Sequence, residues 1–591
     1  MIVPRLEWLL PEPFPEPPPF AGFGRPVATL LARRGFSDDQ ELGHFLHAGE
    51  ASLHDISLMA DADVALDRIE RAIEAGERIA IWGDYDADGM TAVVVWVLAF
   101  RALGIEALRH VPSRLAEGYG LSRPGLERLA GAGVTLLITC DCGVTNAAEV
   151  EEARELGMEV IVTDHHLPSG ALPYAVAVVD PHRPDCTYPD PDLTGAGLAF
   201  KLASALLARR GMSAADLAGV AAIGTIADMA PMTGESRAIV RLGLAELAAT
   251  SRPGLRALLA RSAEVPDQPT ARDLAFGVAP RINAAGRIAD AELAMSLMLE
   301  DDPVAAERIA EALEAVHVER RAITTATIEA ALAMAAAVPG TGPLALRGDG
   351  WAPGVLGLVA NRLVEALGRP VAVAAPVDDE LRGSVRAPAD FHVALALEAC
   401  APLLLKRGGH PAAGGFSLRT DAWADFAAAF GALPRPFPPD PGRAAERAMA
   451  LTIDLVLPAM HLGWPLAEEI GRLAPFGPGH VEPLLAVTGL LVADARRVGV
   501  NGDHVALRMR RGPEVFDAIA FGTPSDRPLP EPGVALDLVG TLERDLFQGL
   551  PRLRIRVFDY AESAVSPLAA RRAAGGSVPI AVGEPAEVSP A

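Results

Sequence analysis

Four short stretches hold the residues best suited to chemistry: Asp84-Tyr85-Asp86-Ala87-Asp88-Gly89, Asp141-Cys142-Gly143, Asp164-His165-His166 and Ala227-Asp228. Three carboxylates at alternating positions repel one another unless something positive is shared among them, and hard divalent cations bind oxygen ligands of this kind. A solvated Asp/Gly turn is the competing reading of the first stretch taken alone, because Asp-x-Asp-Gly turns also occur without a metal. Together the four stretches supply oxygen and nitrogen ligands for two cations. A mixture of Asp and His without thiolates favours Mn²⁺ or Mg²⁺ over structural Zn²⁺, and Mn²⁺ matches imidazole better.

The elements around these residues must bring them to one place. Residues 79–82 are apolar and partly β-branched, as in a buried strand, and 90–100 resume as a long apolar helix, so the first acids lie on the turn between them. Strands are predicted at 105–111, 134–139, 158–163 and 175–179, with helices at 64–75, 124–132 and 146–156, which gives a parallel, helix-covered sheet. Neighbouring strands in such a sheet are about 4.8 Å apart, so acids and imidazoles at adjacent strand ends can form one cluster. In open α/β sheets that edge is where ligands bind. Asp228 ends an otherwise apolar helix, where an unpaired carboxylate is costly to bury.

The rest of the chain reads as several further blocks. Residues 195–299 are mostly helical, and 303–337 form one Ala/Glu/Arg-rich helix without interior Gly or Pro. A second α/β lobe follows at 342–434, then a Pro/Arg-rich linker at 433–443 and a β-rich segment at 451–560 with turn signals at Asn501-Gly502 and Gln548-Gly549. The expected division is a Pro-rich lead-in (1–50), a catalytic domain (51–300), a connecting helix (301–338), a smaller α/β domain (339–434), a β-barrel domain (445–560) and a disordered tail (561–591).

Composition excludes some function classes. A chain of 591 residues is too long for one core. Its longest apolar run falls far short of the roughly 20 residues that span a bilayer, and the N-terminus lacks the pattern of a secretory signal. A soluble, cytoplasmic protein is expected. The four cysteines, Cys140, Cys142, Cys186 and Cys400, make neither a disulfide framework nor a zinc site. A net charge of −24 argues against nonspecific coating of nucleic acid but allows a local basic channel. Lysine occurs only at Lys201 and Lys406, so nearly every basic residue is arginine, suited to bidentate phosphate contacts, although biased codon usage explains the same composition.

The order Asp-x-Asp-x-Asp-Gly, Asp-x-Gly, Asp-His-His and Ala-Asp, each at an element end, resembles the DHH phosphoesterase superfamily across about residues 79–232. The resemblance implies that Asp84, Asp86 and Asp141 hold one metal ion and that Asp88, Asp141, His165 and Asp228 hold a second, with Asp141 bridging. It also implies that His166 touches the scissile phosphate. Asp84 stands where other members place a histidine, which marks a subgroup.

Further stretches are similar to the RecJ branch of that superfamily, whose members degrade single-stranded DNA from the 5′ end. They are Val111-Pro112-Ser113-Arg114 with Glu117-Gly118-Tyr119-Gly120-Leu121, Gly195-Ala196-Gly197 with Phe200-Lys201, and Arg281-Ile282-Asn283-Ala284-Ala285-Gly286-Arg287, which is expected to precede a helix. Arg114 can pair with a phosphate, Tyr119 offers a face to a base, and Arg287 can meet a backbone phosphate. In the second lobe, Gly383-Ser384-Val385-Arg386 and Gly408-Gly409-His410-Pro411 resemble a DHHA1 domain. Ser384, Arg386 and Arg114 would form a 5′-phosphate pocket, with Asn283, Gly409 and His410 also at the substrate.

The β-rich segment fits an OB-fold. Arg508 and Arg510, and Arg552, Arg554 and Arg556, each share one strand face, either as tracks for DNA or as a solvated surface. The implied protein is a metal-dependent exonuclease of DNA repair and recombination, a monomer acting on single-stranded DNA beside a helicase or a single-strand-binding protein, away from membranes. The alternatives are a DHH-type oligonucleotide or cyclic-dinucleotide phosphodiesterase and a non-catalytic scaffold that binds DNA.

Overall fold

The computed structural model describes residues 1–569 except 115–116, 439–449, 500–501 and 548–549. The chain divides into two compact units, Ala48–Glu446 and Met1–His47 with Arg447–Ala591.

The larger unit is organised on a five-stranded sheet. Strands β1 (Ile79–Gly83), β2 (Leu108–His110), β3 (Leu136–Cys140), β4 (Glu159–Thr163) and β5 (Ala177–Val179) run parallel in the order β2-β1-β3-β4-β5. Every residue of β1 and β3 is buried. Alternate side chains enter two different cores: Ile79 and Ile81 join one face, Ala80 and Trp82 the other. Helix α1 (Ala87–Ala102) is apolar almost all round because the sheet covers one side of it and helices α2 (Gly195–Arg209) and α3 (Ala218–Ala227) cover the rest. Parallel register aligns Gly83 with Cys140 and Cys140 with Thr163. Asp84, Asp141 and Asp164 are therefore the first residues beyond three aligned strand ends.

The Arg281–Arg287 stretch precedes a helix as expected, Glu292–Met298, and is itself helical. Helix α4 (Ala279–Ile288) carries Pro280 in its first turn, where a missing N–H costs nothing, and follows a π-helical turn at Leu274–Val278. Helix α5 (Pro303–Ala336) is a single 34-residue rod whose N-cap, Asp302, accepts from the Ala305 N–H. It leads into a second sheet of β6 (Leu344–Arg347), β7 (Val371–Val377), β8 (Glu380–Arg386), β9 (Lys406–Gly409) and β10 (Ala413–Arg419), ordered β9-β10-β8-β7-β6.

In the second unit β11 (Leu485–Val498), β12 (His504–Arg511), β13 (Glu514–Ala520), β14 (Ala535–Phe547) and β15 (Leu550–Glu562) close a barrel through the β11–β14 pairing. Residues 1–47 are largely irregular through the Pro-rich tract and then helical, as the sequence suggests, but they belong to the barrel's unit. Helices Arg25–Arg33 and Asp39–Leu46 place Val27, Leu30, Leu31 and Leu42 in the barrel's own core, and Glu7–Leu9 pairs in parallel with Ala450–Thr452. The spacing of Val27, Leu30 and Leu31 gives one apolar helix face that must be covered.

Of the expected turn signals, Asn501, Gln548 and Gly549 lie outside the described residues, as does the tail beyond 569. Within the tail, Ala561 and Glu562 end β15 and Leu568 is buried. All four cysteines are free thiols. Among the described residues no helix is long and apolar enough to cross a membrane.

Candidate active site

The acids converge at the carboxyl edge of the first sheet. Asp84, Asp88 and Asp141 are 5%, 1% and 3% exposed, respectively. Three overlapping groups each bring ligand atoms within 4.8 Å of one another: Asp84, Asp86 and Asp141; Asp88, His165 and Asp228; and Asp141, His165 and His166. His165 Nε2 lies 2.9 Å from Asp141 Oδ1, 3.8 Å from Asp88 Oδ2 and 3.9 Å from Asp228 Oδ2.

Local structure holds each acid in place. Asp86 is the N-cap of α1, and its Oδ1 accepts from the Asp88 and Gly89 N–H groups at 2.9 and 3.1 Å. The Asp88 carboxylate accepts from the Gly195 and Ala196 N–H groups at 2.6 and 3.0 Å, so it sits on the positive end of α2. A Cβ on Gly195 would lie 2.5 Å from Asp141 Cβ, so only glycine lets α2 approach this closely. Asp141 itself has φ 61°, a left-handed conformation uncommon outside glycine, asparagine and aspartate. Asp228 caps the end of α3.

This crowding is electrostatically costly. Burial, then the neighbouring carboxylates, pushes Asp84 and Asp141 well above the usual carboxylate range. Burial also raises Asp88, and raises Asp228 to about 7. Asp84 Oδ1 is buried without a hydrogen-bond partner. Buried oxygens facing one another with an unpaired lone pair fit a cation: the donor set is all oxygen and imidazole, with the thiols of Cys140 and Cys142 pushed up by burial and kept out of it.

His166 belongs to a second layer. Its Nδ1 is 2.7 Å from Asp164 Oδ1 and 3.2 Å from the Tyr119 hydroxyl. Burial pulls His166 down, but the hydrogen bond and charge of Asp164 outweigh it and the net shift is upward. Burial pushes Asp164 up, yet His166 and the backbone donors hold it below its ordinary value. The donors are the N–H groups of Val144, His165 and His166. Sequence reasoning gave Asp164 no role, although it stands in the motif and in register with Asp84 and Asp141. Tyr119 is 43% exposed, and its ring meets the His166 ring edge-on at 5.7 Å.

A cationic pocket lies on the second lobe and α4. Arg386 Nη1 donates to Ser384 Oγ at 3.0 Å and to the Val385 carbonyl at 2.9 Å. Arg287, in the last turn of α4, donates to the Gly354 carbonyl at 3.3 Å. Burial, then Arg114, Arg320 and other charges, pulls Arg287 down to about 10, and burial followed by Arg114 lowers Arg386. The Arg114 guanidinium stacks 4.8 Å over the Tyr85 ring. Two guanidiniums, Arg287 and Arg386, each lowered by burial and then by the charge of Arg114, form a site prepared for an anion. Sequence reasoning missed two contributors, Arg320 on α5 and the Gly354–Gly357 turn that opens helix Leu356–Leu367. A Cβ on Gly357 would stand 3.2 Å from Arg386 Nη2. Glycine ahead of a helix was the available signal.

Other expected residues lie elsewhere. The Asn283 side-chain oxygen accepts from the Ala87 N–H at 3.0 Å, bracing the acidic turn. Gly409 ends β9 and His410 is exposed on the turn into β10, two strands from Ser384. On the barrel, Arg552 pairs with Asp517 at 2.8 Å and Arg554 with Glu543 at 3.1 Å. Arg556 stacks on Phe521 and Phe558, and Arg508 stands opposite Asp494 and Asp517.

Comparisons with known proteins agree with this geometry. Residues 78–225 match the DHH family, N-terminal domain; 333–433 match the DHHA1 domain; and 453–559 match the RecJ OB domain. The single-stranded-DNA-specific exonuclease RecJ of Bacillus subtilis is 33% identical over 545 residues, 91% of this chain and 68% of that protein. Its Escherichia coli namesake is 33% identical over 558 residues, covering 90% and 94%. The crystal structure of RecJ in complex with Mn²⁺ from Thermus thermophilus superposes with a TM-score of 0.77 at 32% identity, over 94% of this chain and 80% of that one. A second structure of that protein contains Mg²⁺. With its three domain matches and full-length relatives, the chain belongs to the RecJ family of DHH phosphoesterases.

Proposed function

We propose that this protein is a two-metal-ion exonuclease that hydrolyses single-stranded DNA from the 5′ end, in DNA repair and recombination. The observation that carries the reading is the pairing, within one unit, of a corner of buried, mutually repelling carboxylates with a pocket of mutually repelling guanidiniums. The names of the relatives support the substrate.

Asp84, Asp86 and Asp141 would hold one Mn²⁺ or Mg²⁺ ion, and Asp88, Asp141, His165 and Asp228 the other. Such ions acidify water and neutralise charge that builds on phosphate oxygens. The protein's own groups do the rest. His166, whose hold on a proton is strengthened by Asp164, donates to an oxygen of the scissile phosphate. Ser384, Arg386, Arg114 and Arg287 receive the terminal 5′-phosphate, which fixes polarity by anchoring one end. Tyr119 presents its exposed edge to the first base.

The division of labour follows the sequence blocks: residues 51–300 carry catalysis, 301–338 connect, 339–434 bind the strand end and 445–560 hold more of the strand. A single-strand substrate arises where a helicase opens duplex or a single-strand-binding protein covers it, so we take such proteins as its neighbours and the enzyme as a cytoplasmic monomer. The test offers a single-stranded oligonucleotide, its duplex and a cyclic dinucleotide side by side with Mn²⁺. Mononucleotide release from the single strand alone is expected; preferential cleavage of the cyclic dinucleotide overturns the assignment.

A further inference from the structure

The segment Asp180-Pro181-His182-Arg183 leaves β5 and passes behind Asp164-His165-His166. His182 Nδ1 lies 2.6 Å from the main-chain carbonyl oxygen of His165. A carbonyl only accepts, so the proton at this contact is on Nδ1. The ring is aimed from its own main chain: the buried Asp180 accepts the His182 N–H on Oδ1 at 2.7 Å, and the intervening Pro181 fixes its φ. The segment has a separate anchor. Arg183 Nη1 donates to Asp61 Oδ2 at 2.6 Å and to the Val178 carbonyl at 2.5 Å, and Nη2 donates to Asp185 Oδ2 at 2.7 Å.

His165 is thereby held at both main-chain polar groups. Its N–H donates to Asp164 Oδ1 at 2.8 Å, and its carbonyl accepts from His182. Between these two bonds its ring projects Nε2 towards Asp141, Asp88 and Asp228. Without the carbonyl-side bond, the peptide that follows His165 keeps a single anchor, the His166 N–H on Asp164 Oδ1 at 3.1 Å, and the main chain that carries the His165 ring is less firmly fixed.

We propose that His182 is a positioning residue: its hydrogen bond to the His165 carbonyl sets the direction in which the His165 imidazole meets the cation. The inference rests on the reading of His165 as a metal ligand. Outer-shell partners that hold a ligand ring directly change metal affinity by about 10-fold to 100-fold when removed, and one that acts through the main chain is expected at the lower end. His182 does not touch substrate, and it acts through His165 alone. The chemistry required at position 182 is a donor at the place of Nδ1. Asparagine supplies an N–H₂ there, aspartate an oxygen that repels the carbonyl, and alanine nothing.

The test measures Mn²⁺ binding to the full-length protein without DNA, by titration calorimetry, alongside the Tm of the metal-free protein. Wild type is compared with His182→Ala, His182→Asn, His182→Asp and His165→Ala. The Kd for Mn²⁺ is expected to rise about tenfold in His182→Ala and at least as much in His182→Asp, and to return to the wild-type value in His182→Asn. Metal-free Tm should stay near wild type in all three, since Arg183 holds the segment. Wild-type affinity in His182→Ala overturns the proposal, as does equal behaviour of the Asn and Asp variants or an equal fall in metal-free Tm across the three. Unchanged binding in His165→Ala instead removes the ligand reading beneath it. Weakened binding there, with His182→Ala unchanged, removes the role of His182 only.

Discussion

The acidic corner at the strand ends and the charged outer face of the barrel use the same residue types to opposite effect. On the barrel, alternation along β15 turns Arg552, Arg554 and Arg556 outward, and the neighbouring strands answer with Asp517 and Glu543. The charge closes on itself within the sheet. At the strand ends the acids face other acids: burial and neighbouring carboxylates raise Asp84 and Asp141, and Asp84 Oδ1 has no partner. The guanidiniums of Arg287, Arg114 and Arg386 are likewise set against one another. A ligand of opposite charge relieves a cost already present in the fold only where like charges face one another, which is why the proposed sites lie there and not on the barrel.

The comparison breaks first at Asp141. Its replacement by alanine should lower the rate of DNA hydrolysis by roughly a thousandfold or more in a steady-state assay, with the circular dichroism spectrum of the fold retained. Substantial activity would remove the bridging role. The cationic pocket comes next. Arg386→Ala should weaken the preference for a 5′-phosphorylated over a 5′-hydroxyl strand by about 10-fold to 100-fold, measured by competition. An undiminished preference would place the anchor elsewhere.

The barrel face gives a smaller effect by the same logic. Arg552→Ala removes one half-exposed cross-strand pair and should change stability by no more than about 1 kcal/mol in denaturant unfolding. A larger loss would show that this face is not self-compensated in the way described.

The acidic corner also makes a pH prediction for the metal-free protein. Asp228, whose side chain is 38% exposed but faces the crowded corner, is raised by desolvation there and then by Asp88 from 3.8 to about 7, so its contribution to stability is fully present below about 3.8 and is lost as pH rises through about 7. In chelator, Asp228→Asn should therefore melt higher than wild type near pH 8, with the advantage shrinking towards pH 5. An advantage that is constant with pH would contradict the raised value.

Much of this was legible in the chain because the chemistry stands at element boundaries. The apolar runs of β1, β3 and β4 read as buried strands, and their ends carried the acids and histidines that the structure gathers. What stayed hidden depends on register and distant packing. That Asp164 grips His166 is a contact between residues two apart in one motif, but that Asp164 stands level with Asp84 and Asp141 follows from strand register, which no single stretch reveals. The stretch Arg281–Arg287 read as lying ahead of a helix, yet it is helical itself, with Pro280 in the first turn and the helix packed against α5. Residues 1–47 found their core some 450 residues away in sequence. The arginine stripes on the barrel were visible as alternation, but the carboxylates opposite them belong to other strands.

The most direct test of a metal corner paired with a 5′-end pocket is a degradation time course with Mn²⁺ on single-stranded DNA labelled at either end, run beside Asp141→Ala. The account predicts that wild type releases the 5′ label first, as mononucleotide, and that the variant releases neither label. Earlier release of the 3′ label, or hydrolysis by Asp141→Ala at the wild-type rate, would contradict it.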